Sequence, residues 1–223
     1  MKIRTENLAV KDAKLRTFIA DDLHRDEMVA HVYDVTYGVV RPGKDTLVIM
    51  DDSIVRGTTL KQSILRIMDR LKPKKVIIVS SAPQIRYPDC YGIDMAKLGD
   101  FIAFQAAIAL HKERGTEYIV EEVYEQCVAQ DAFAKEEMKN VVKRIYDSFS
   151  EQEISDKIAQ LVTPSDMNAE VEVIYQNLED LHEACPGHTG DWYFSGNYPT
   201  PGGNKVVNRA FINFFNKVNE RAY

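Results

Sequence analysis

A chain of 223 residues, 45% hydrophobic and 28% charged, reads as an ordinary globular protein, large enough for one domain or for a core with an appendage. Its formal net charge of −6 speaks against a general nucleic-acid binder, which needs excess Lys and Arg to neutralise phosphates. No apolar run reaches the roughly 18 residues of a membrane span, and Met1-Lys2-Ile3-Arg4-Thr5-Glu6 lacks the apolar core of a secretory signal. Cys90, Cys127 and Cys185 are odd in number and widely spaced. That spacing gives no disulfide framework and suits a reducing, cytoplasmic setting.

Along the chain, Lys11 to Arg16 is basic, Thr17-Phe18-Ile19 is a short extended signal, and His31 to Val40 alternates loosely. Thr46-Leu47-Val48-Ile49-Met50 has the apolar run of a strand buried on both faces. Leu60, Ile64, Ile67, Met68 and Leu71 then recur at helical spacing up to Pro73, and Val76-Ile77-Ile78-Val79 is a second buried strand. A strand–helix–strand unit of this kind implies a right-handed parallel crossover, hence an α/β fold with a Rossmann-like parallel sheet. Beyond it, helices are expected over Lys97 to His111, Glu117 to Gln130 and Ala134 to Phe149. Ser150 and Glu153 form a capping box for another helix, running to Val162. Val171 to Cys185 reads as a further amphipathic stretch, Trp192-Tyr193-Phe194 as a strand or packed loop, and Val206 to Arg221 as a closing helix. The expected organisation is a core over residues 1–112 and a mainly helical carboxyl-terminal region over 113–223.

The chemistry concentrates where the first buried strand ends. Ligands of open parallel sheets bind beyond the carboxyl ends of the strands, and Asp51 and Asp52 occupy that edge. Adjacent carboxylates there accept hydrogen bonds from vicinal ribose hydroxyls and attract the Mg²⁺ that accompanies a pyrophosphate. Ser53, Ile54, Val55, Arg56, Gly57, Thr58 and Thr59 then lead into the helix. Gly57 permits a close backbone approach, and the amides of the first helical turn, with the hydroxyls of Ser53, Thr58 and Thr59, surround a monoester phosphate. Carboxylates for a sugar beside amides for its phosphate describe a phosphoribosyl site over residues 48–59. A bland alternative is a polar turn in which Thr58 merely caps the helix. The string is no Walker loop, since Gly-Lys-Ser/Thr is absent. A receiver-like phospho-acceptor would want an aspartate after the next strand, where Ser80-Ser81-Ala82 stands. The histidines, among them His182 and His188, show no metal spacing and receive no role.

With these residues in hand, the chain resembles the amidophosphoribosyltransferase family. Asp51 to Thr59 looks like that family's form of the phosphoribosyl-pyrophosphate (PRPP) loop. Arg16-Thr17-Phe18-Ile19 resembles part of its flexible catalytic loop, Ser81 to Pro88 with Tyr91 to Met95 the segment after the next strand, and Gly196-Asn197-Tyr198-Pro199-Thr200 a motif near its carboxyl terminus. The resemblance implies a partial type I phosphoribosyltransferase fold. It also implies ammonia released from glutamine attacking C1 of PRPP, to give phosphoribosylamine and pyrophosphate in the first step of purine synthesis. Arg16, with Lys14 weaker, becomes a candidate loop cation beside Asp51 and Asp52 as catalytic residues. Ile19 becomes a candidate for the ammonia route. The intact enzyme is expected to be a cytoplasmic homo-oligomer inhibited by purine nucleotides.

The resemblance also has gaps. No Cys follows Met1 as a glutaminase nucleophile would, Lys14-Leu15 stands where an aromatic residue is expected, and nothing matches the family's earlier strands. The expectation is a carboxyl-terminal fragment that lacks the glutaminase half and is inactive with glutamine alone. Asp89 and Tyr193 occupy two positions where some members ligate an iron–sulfur cluster, so no cluster is expected. Two other readings stand beside this one: a non-catalytic phosphoribosyl- or nucleotide-binding module, and a salvage phosphoribosyltransferase, for which no base-binding hood is evident.

Overall fold

The computed structural model describes residues 4–6, 8–11, 33–90, 95–188 and 190–222. Arg16, Lys14, Ile19 and the rest of the flexible-loop stretch lie outside the described residues, as do Tyr91 to Asp94. The elements run β1 (Ala9–Lys11), β2 (Tyr33–Val35), β3 (Thr46–Asp51), α1 (Leu65–Asp69, entered through a π-helical turn Leu60–Ile64) and β4 (Lys75–Ser80). They continue with α2 (Ile102–Arg114), α3 (Tyr118–Ala129), α4 (Glu151–Val162), β5 (Glu170–Tyr175), α5 (Leu178–Ala184), α6 (Trp192–Ser195) and α7 (Pro201–Phe215). Among the described residues no helix is long and apolar enough to cross a membrane.

The main sheet has three strands in the order β3-β4-β5. It is parallel: Lys74 N donates to Asp45 O at the start of the β3–β4 pair and Ser81 N to Asp51 O at its end. Glu170 N to Lys74 O and Gln176 N to Ser80 O repeat the pattern between β4 and β5. The chain divides into two compact units, one of Met1–Ile49, Gly57–Ile78 and Val162–Glu172, the other of Met50–Arg56, Val79–Leu161 and Val173–Tyr223.

In the first unit, β1 and β2 form an antiparallel ladder with Val10 opposite Asp34. Arg4 reaches Val39 O at 2.7 Å, and Asp45 accepts from the Arg41 amide at 2.9 Å. Of the helical stripe read from the sequence, Leu60, Ile67, Met68 and Leu71 are buried, whereas Ile64 is only partly so and Leu65 takes its place in the core; Val76 is buried on β4. α1 ends before Pro73, with Lys72 in the left-handed region at φ 52°. β3 differs from its expected double burial: Leu47 is buried, but Val48 is 62% exposed. A strand at the edge of the order has a neighbour on one side only, so apolar content alone does not bury both faces.

In the second unit, Phe101, Phe104, Ile145, Ile154, Ile158 and Phe211 are fully buried, and Phe104 meets Phe211 and Phe214 edge-on at 6.0 and 4.7 Å. α4 begins as the capping box requires: Ser150 N and Oγ donate to Glu153 Oε2, and Glu153 N donates back to Ser150 Oγ at 3.2 Å.

Four further expectations are corrected. Val171 to Cys185 is no single amphipathic stretch. Its first part alternates Glu170, Glu172 with Val171, Val173 and forms β5, and a new cap at Asn177, accepting from Glu179 N at 2.9 Å, starts α5. Ala134 to Phe149 is a series of tight turns, with 3₁₀ geometry over Val141–Ile145. There the backbone is claimed by side-chain amides: Asn204 bonds Met138 O, Asn208 bonds Lys139 O and the Val141 amide, and Asn140 caps Val142. Trp192 to Ser195 is a helical turn rather than a strand or loop. The closing helix starts earlier than its apolar periodicity, because Thr200 caps it and Pro201 takes the first position.

Candidate functional site

β3 delivers Asp51 to the carboxyl edge of the sheet, and the chain turns at once. Asp51 Oδ1 accepts the Asp52 amide at 3.0 Å, and Asp52 Oδ1 accepts the Ser53 amide at 2.7 Å. β4 braces this turn from its own end: the Ser81 hydroxyl lies 3.2 Å from both the Asp51 and the Asp52 carbonyl oxygens. Partial burial raises the Asp51 carboxyl above the ordinary aspartate value, against the lowering effect of the Asp52 amide, and the neighbouring Asp52 charge adds to the rise. Two like charges side by side make a place where a cation or hydroxyl donors are welcome.

The next residues fix the loop. Ile54 is buried and anchors it, while Val55 O accepts the Ile102 amide at the start of α2, at 2.8 Å. Arg56 lies 3.8 Å from Asp100, both half exposed. Gly57, Thr58 and Thr59 belong to the first unit. Gly57 has φ 70°, a conformation that favours glycine, and its carbonyl accepts the Lys61 amide at 3.0 Å, opening the helical ladder. Thr58 and Thr59 are exposed, and Thr59 makes no side-chain capping hydrogen bond. The π-helical first turn widens the helix entrance, a distortion common at functional sites.

The carboxylates also fit a magnesium ion, which takes oxygen ligands and needs only one or two protein carboxylates when a phosphate shares it. Among the described residues no group of three or more His, Cys, Asp or Glu forms a ready-made metal cage.

Two other family-like stretches meet in the second unit. Tyr198 Oη donates to Pro88 O at 2.6 Å, and the Arg86 and Tyr87 amides donate to Tyr193 O at 2.8 and 3.1 Å. Burial, followed by the charge of nearby Asp89, raises the Tyr193 phenol. Sequence reasoning missed the Ser81 brace, Asp100 and the Ile102 amide. Each is remote in sequence from the loop it holds, and no local pattern announces it.

No family model matches the chain. Several curated relatives are amidophosphoribosyltransferases. That of Saccharomyces cerevisiae is 34% identical over 148 residues, covering 62% of this chain and 28% of the relative. That of Pasteurella multocida is 47% identical over 58 residues, covering 26% and 11%. The Pseudomonas aeruginosa protein is 48% identical over 61 residues, covering 27% and 12%. This chain thus spans between 11% and 28% of the length of these relatives. A solved structure of glutamine PRPP amidotransferase from B. subtilis, complexed with ADP and GMP, superposes with a TM-score of 0.47 at 22% identity, covering 87% of this chain and 32% of that one.

Proposed function

We propose that this chain is the PRPP-binding part of an amidophosphoribosyltransferase. The observation that carries the reading is the braced Asp51–Asp52 turn at the carboxyl edge of a parallel sheet, followed without interruption by Gly57-Thr58-Thr59 at a helix entrance. Along this stretch the two carboxylates receive the ribose hydroxyls, and the amides and hydroxyls of Gly57, Thr58 and Thr59 receive the 5-phosphate. Ser53 offers a further hydroxyl, Arg56 a positive charge beside the phosphates, and the buried Ile54 and tethered Val55 keep the backbone in place.

Asp51 and Asp52 would hold Mg²⁺, which supplies charge neutralisation to the departing pyrophosphate. The chain's own part is to hold C1 of the sugar still while ammonia attacks, so that orientation supplies much of the rate. Arg16 is assigned as the cation that meets the pyrophosphate in the complete protein. An iron–sulfur cluster is not part of the reading: two of the positions in question are Asp89 and Tyr193, and neither offers a thiolate.

The whole protein, in this reading, is a cytoplasmic homo-oligomer that makes 5-phosphoribosylamine from PRPP and glutamine, and purine nucleotides inhibit it. The type I phosphoribosyltransferase fold is completed by residues beyond this chain, as is glutamine hydrolysis, and the 223 residues alone do not turn over glutamine. A coupled assay on the purified chain tests this division directly. Expected is PRPP binding without glutamine-dependent pyrophosphate release. Release at a measurable rate overturns the division of labour, and failure of a folded chain to bind PRPP overturns the assignment of the loop.

A further inference from the structure

The loop after β3 is gripped at two adjacent residues by one short stretch remote in sequence, Lys97 to Ile102. Val55 O accepts the Ile102 amide at 2.8 Å, and Arg56 Nε lies 3.8 Å from Asp100 Oδ2. That stretch is stiff. Its 3₁₀ turn Leu98–Asp100 is closed by the Asp100 amide on Lys97 O and the Phe101 amide on Leu98 O, both at 3.1 Å. Leu98, Phe101 and Ile102 are buried, which anchors the backbone on both sides of Asp100. Gln105 Nε2 donates to Gly99 O at 2.9 Å. Gly99 also meets the end of α7: a Cβ added there would stand 2.9 Å from the Phe214 ring, and beside it Lys97 Nζ donates to Asn219 Oδ1 at 2.6 Å. Asp100 is therefore a half-exposed side chain on a backbone with little freedom to move.

Its contact with Arg56 does little for stability. Two half-exposed charges gain little over their hydration, and a long side chain must be ordered to pair them. The geometry offers something else. Arg56 presents its inner nitrogen, Nε, to Asp100, which leaves the two terminal nitrogens of the guanidinium fork on the far side of the contact. A guanidinium grips a phosphate best with two N–H groups at once. An arginine whose chain is already held gives up less rotamer freedom when it does so.

We infer that Asp100 is a positioning residue for Arg56: it holds the guanidinium by its inner edge so that the terminal nitrogens meet a phosphate group of PRPP. The inference rests on the reading of this loop as a PRPP site, and adds that affinity depends on an acid that touches no part of the ligand. A negative charge near a phosphate would by itself weaken anion binding. The gain from orientation must outweigh that repulsion, and this sets the sign of the test.

The test is a double-mutant cycle on the full chain, read by calorimetric titration with PRPP and Mg²⁺. Arg56→Ala should weaken PRPP binding about 10- to 100-fold. Asp100→Asn should weaken it about fivefold while Arg56 is present, and by less than about twofold once Arg56 is replaced, because its effect passes through that arginine. Asp100→Glu, which returns the charge, should bind within about twofold of the wild type. Urea denaturation checks that each variant is folded. Binding by Asp100→Asn that equals or exceeds the wild type overturns the inference and leaves the PRPP loop standing. So does an equal loss in both backgrounds, an Arg56→Ala variant without effect, or no recovery in Asp100→Glu. A folded wild-type chain that does not bind PRPP removes the loop assignment itself, and this inference with it.

Discussion

The Asp51–Arg56 turn and the His182–Asp191 turn are both polar surfaces of the second unit, and they are built in opposite ways. In the first, each acid is tied to the amide that follows it, Ser81 braces two carbonyls, and Ile54 is sunk into the core, so that the carboxylates are held before any ligand arrives. In the second, backbone bonds from Cys185 to Leu181 and from His188 to Cys185 shape the turn and His182 meets Asp191, while the side chains of Cys185 and His188 are exposed. The difference teaches that a site held by backbone pairing to a sheet needs little rearrangement to bind. A turn whose side chains stand exposed would first have to order them before it held anything.

If this contrast is right, damage to the packing beneath the turns changes stability, and damage to the turns themselves changes binding. The largest stability effect is expected from Phe104→Ala. Phe104 is fully buried between Phe211 and Phe214, on the helix whose first amide holds Val55 O. Truncation should cost about 4 kcal/mol in urea denaturation. A cost under about 1 kcal/mol would mean that this aromatic cluster is not the core of the unit. Next comes Gly196→Ala. Gly196 has φ 70°, and an added Cβ would stand 2.7 Å from both the Asn140 amide nitrogen and the Tyr87 ring. Left-handed strain and overpacking together should cost about 3 kcal/mol, read from the same denaturation curves. Ser150→Ala breaks the capping box far in sequence from either turn. It should cost about 1 kcal/mol while leaving the PRPP titration unchanged.

The smallest effect is one of pH. Burial, together with the Asp52 charge, raises Asp51 above an ordinary aspartate. The folded chain therefore holds that proton more tightly than the unfolded one. From this group alone the fold gains stability as pH falls, and loses that gain as pH rises through the raised value. Ligand affinity runs the other way, because the ribose hydroxyls need an ionised acceptor. PRPP affinity should start to fall on acidification above the range of a free carboxylate, and Asp51→Asn should move that limb to lower pH. A limb that does not move would place the sugar elsewhere.

The same contrast explains what could be read from the residues alone. The Asp51–Thr59 string, proposed above as a PRPP loop, stood out because its chemistry is contiguous: an apolar run, two acids, a glycine and two threonines follow one another, and a parallel sheet puts such a string at its carboxyl edge. The capping box of Ser150 and Glu153 was legible for the same reason, three residues apart on one turn. β5 was not, since Val171, Val173 and Tyr175 alternate for only a few residues before α5 begins, and it is pairing with β4 that makes them a strand. The turns of 134–149 were hidden because their backbone partners are Asn204 and Asn208, some 66 and more residues away.

The central claim is that Asp51 and Asp52 hold the sugar of a phosphoribosyl ligand, and calorimetric titration with PRPP and Mg²⁺ tests it most directly. The wild-type chain should bind saturably. The Asp51→Asn/Asp52→Asn variant should unfold at nearly the same urea concentration and lose about 3 kcal/mol of affinity, roughly a hundredfold or more. Equal affinity in the wild type and the folded double variant would contradict the account, and would leave the braced acids without the ligand assigned to them.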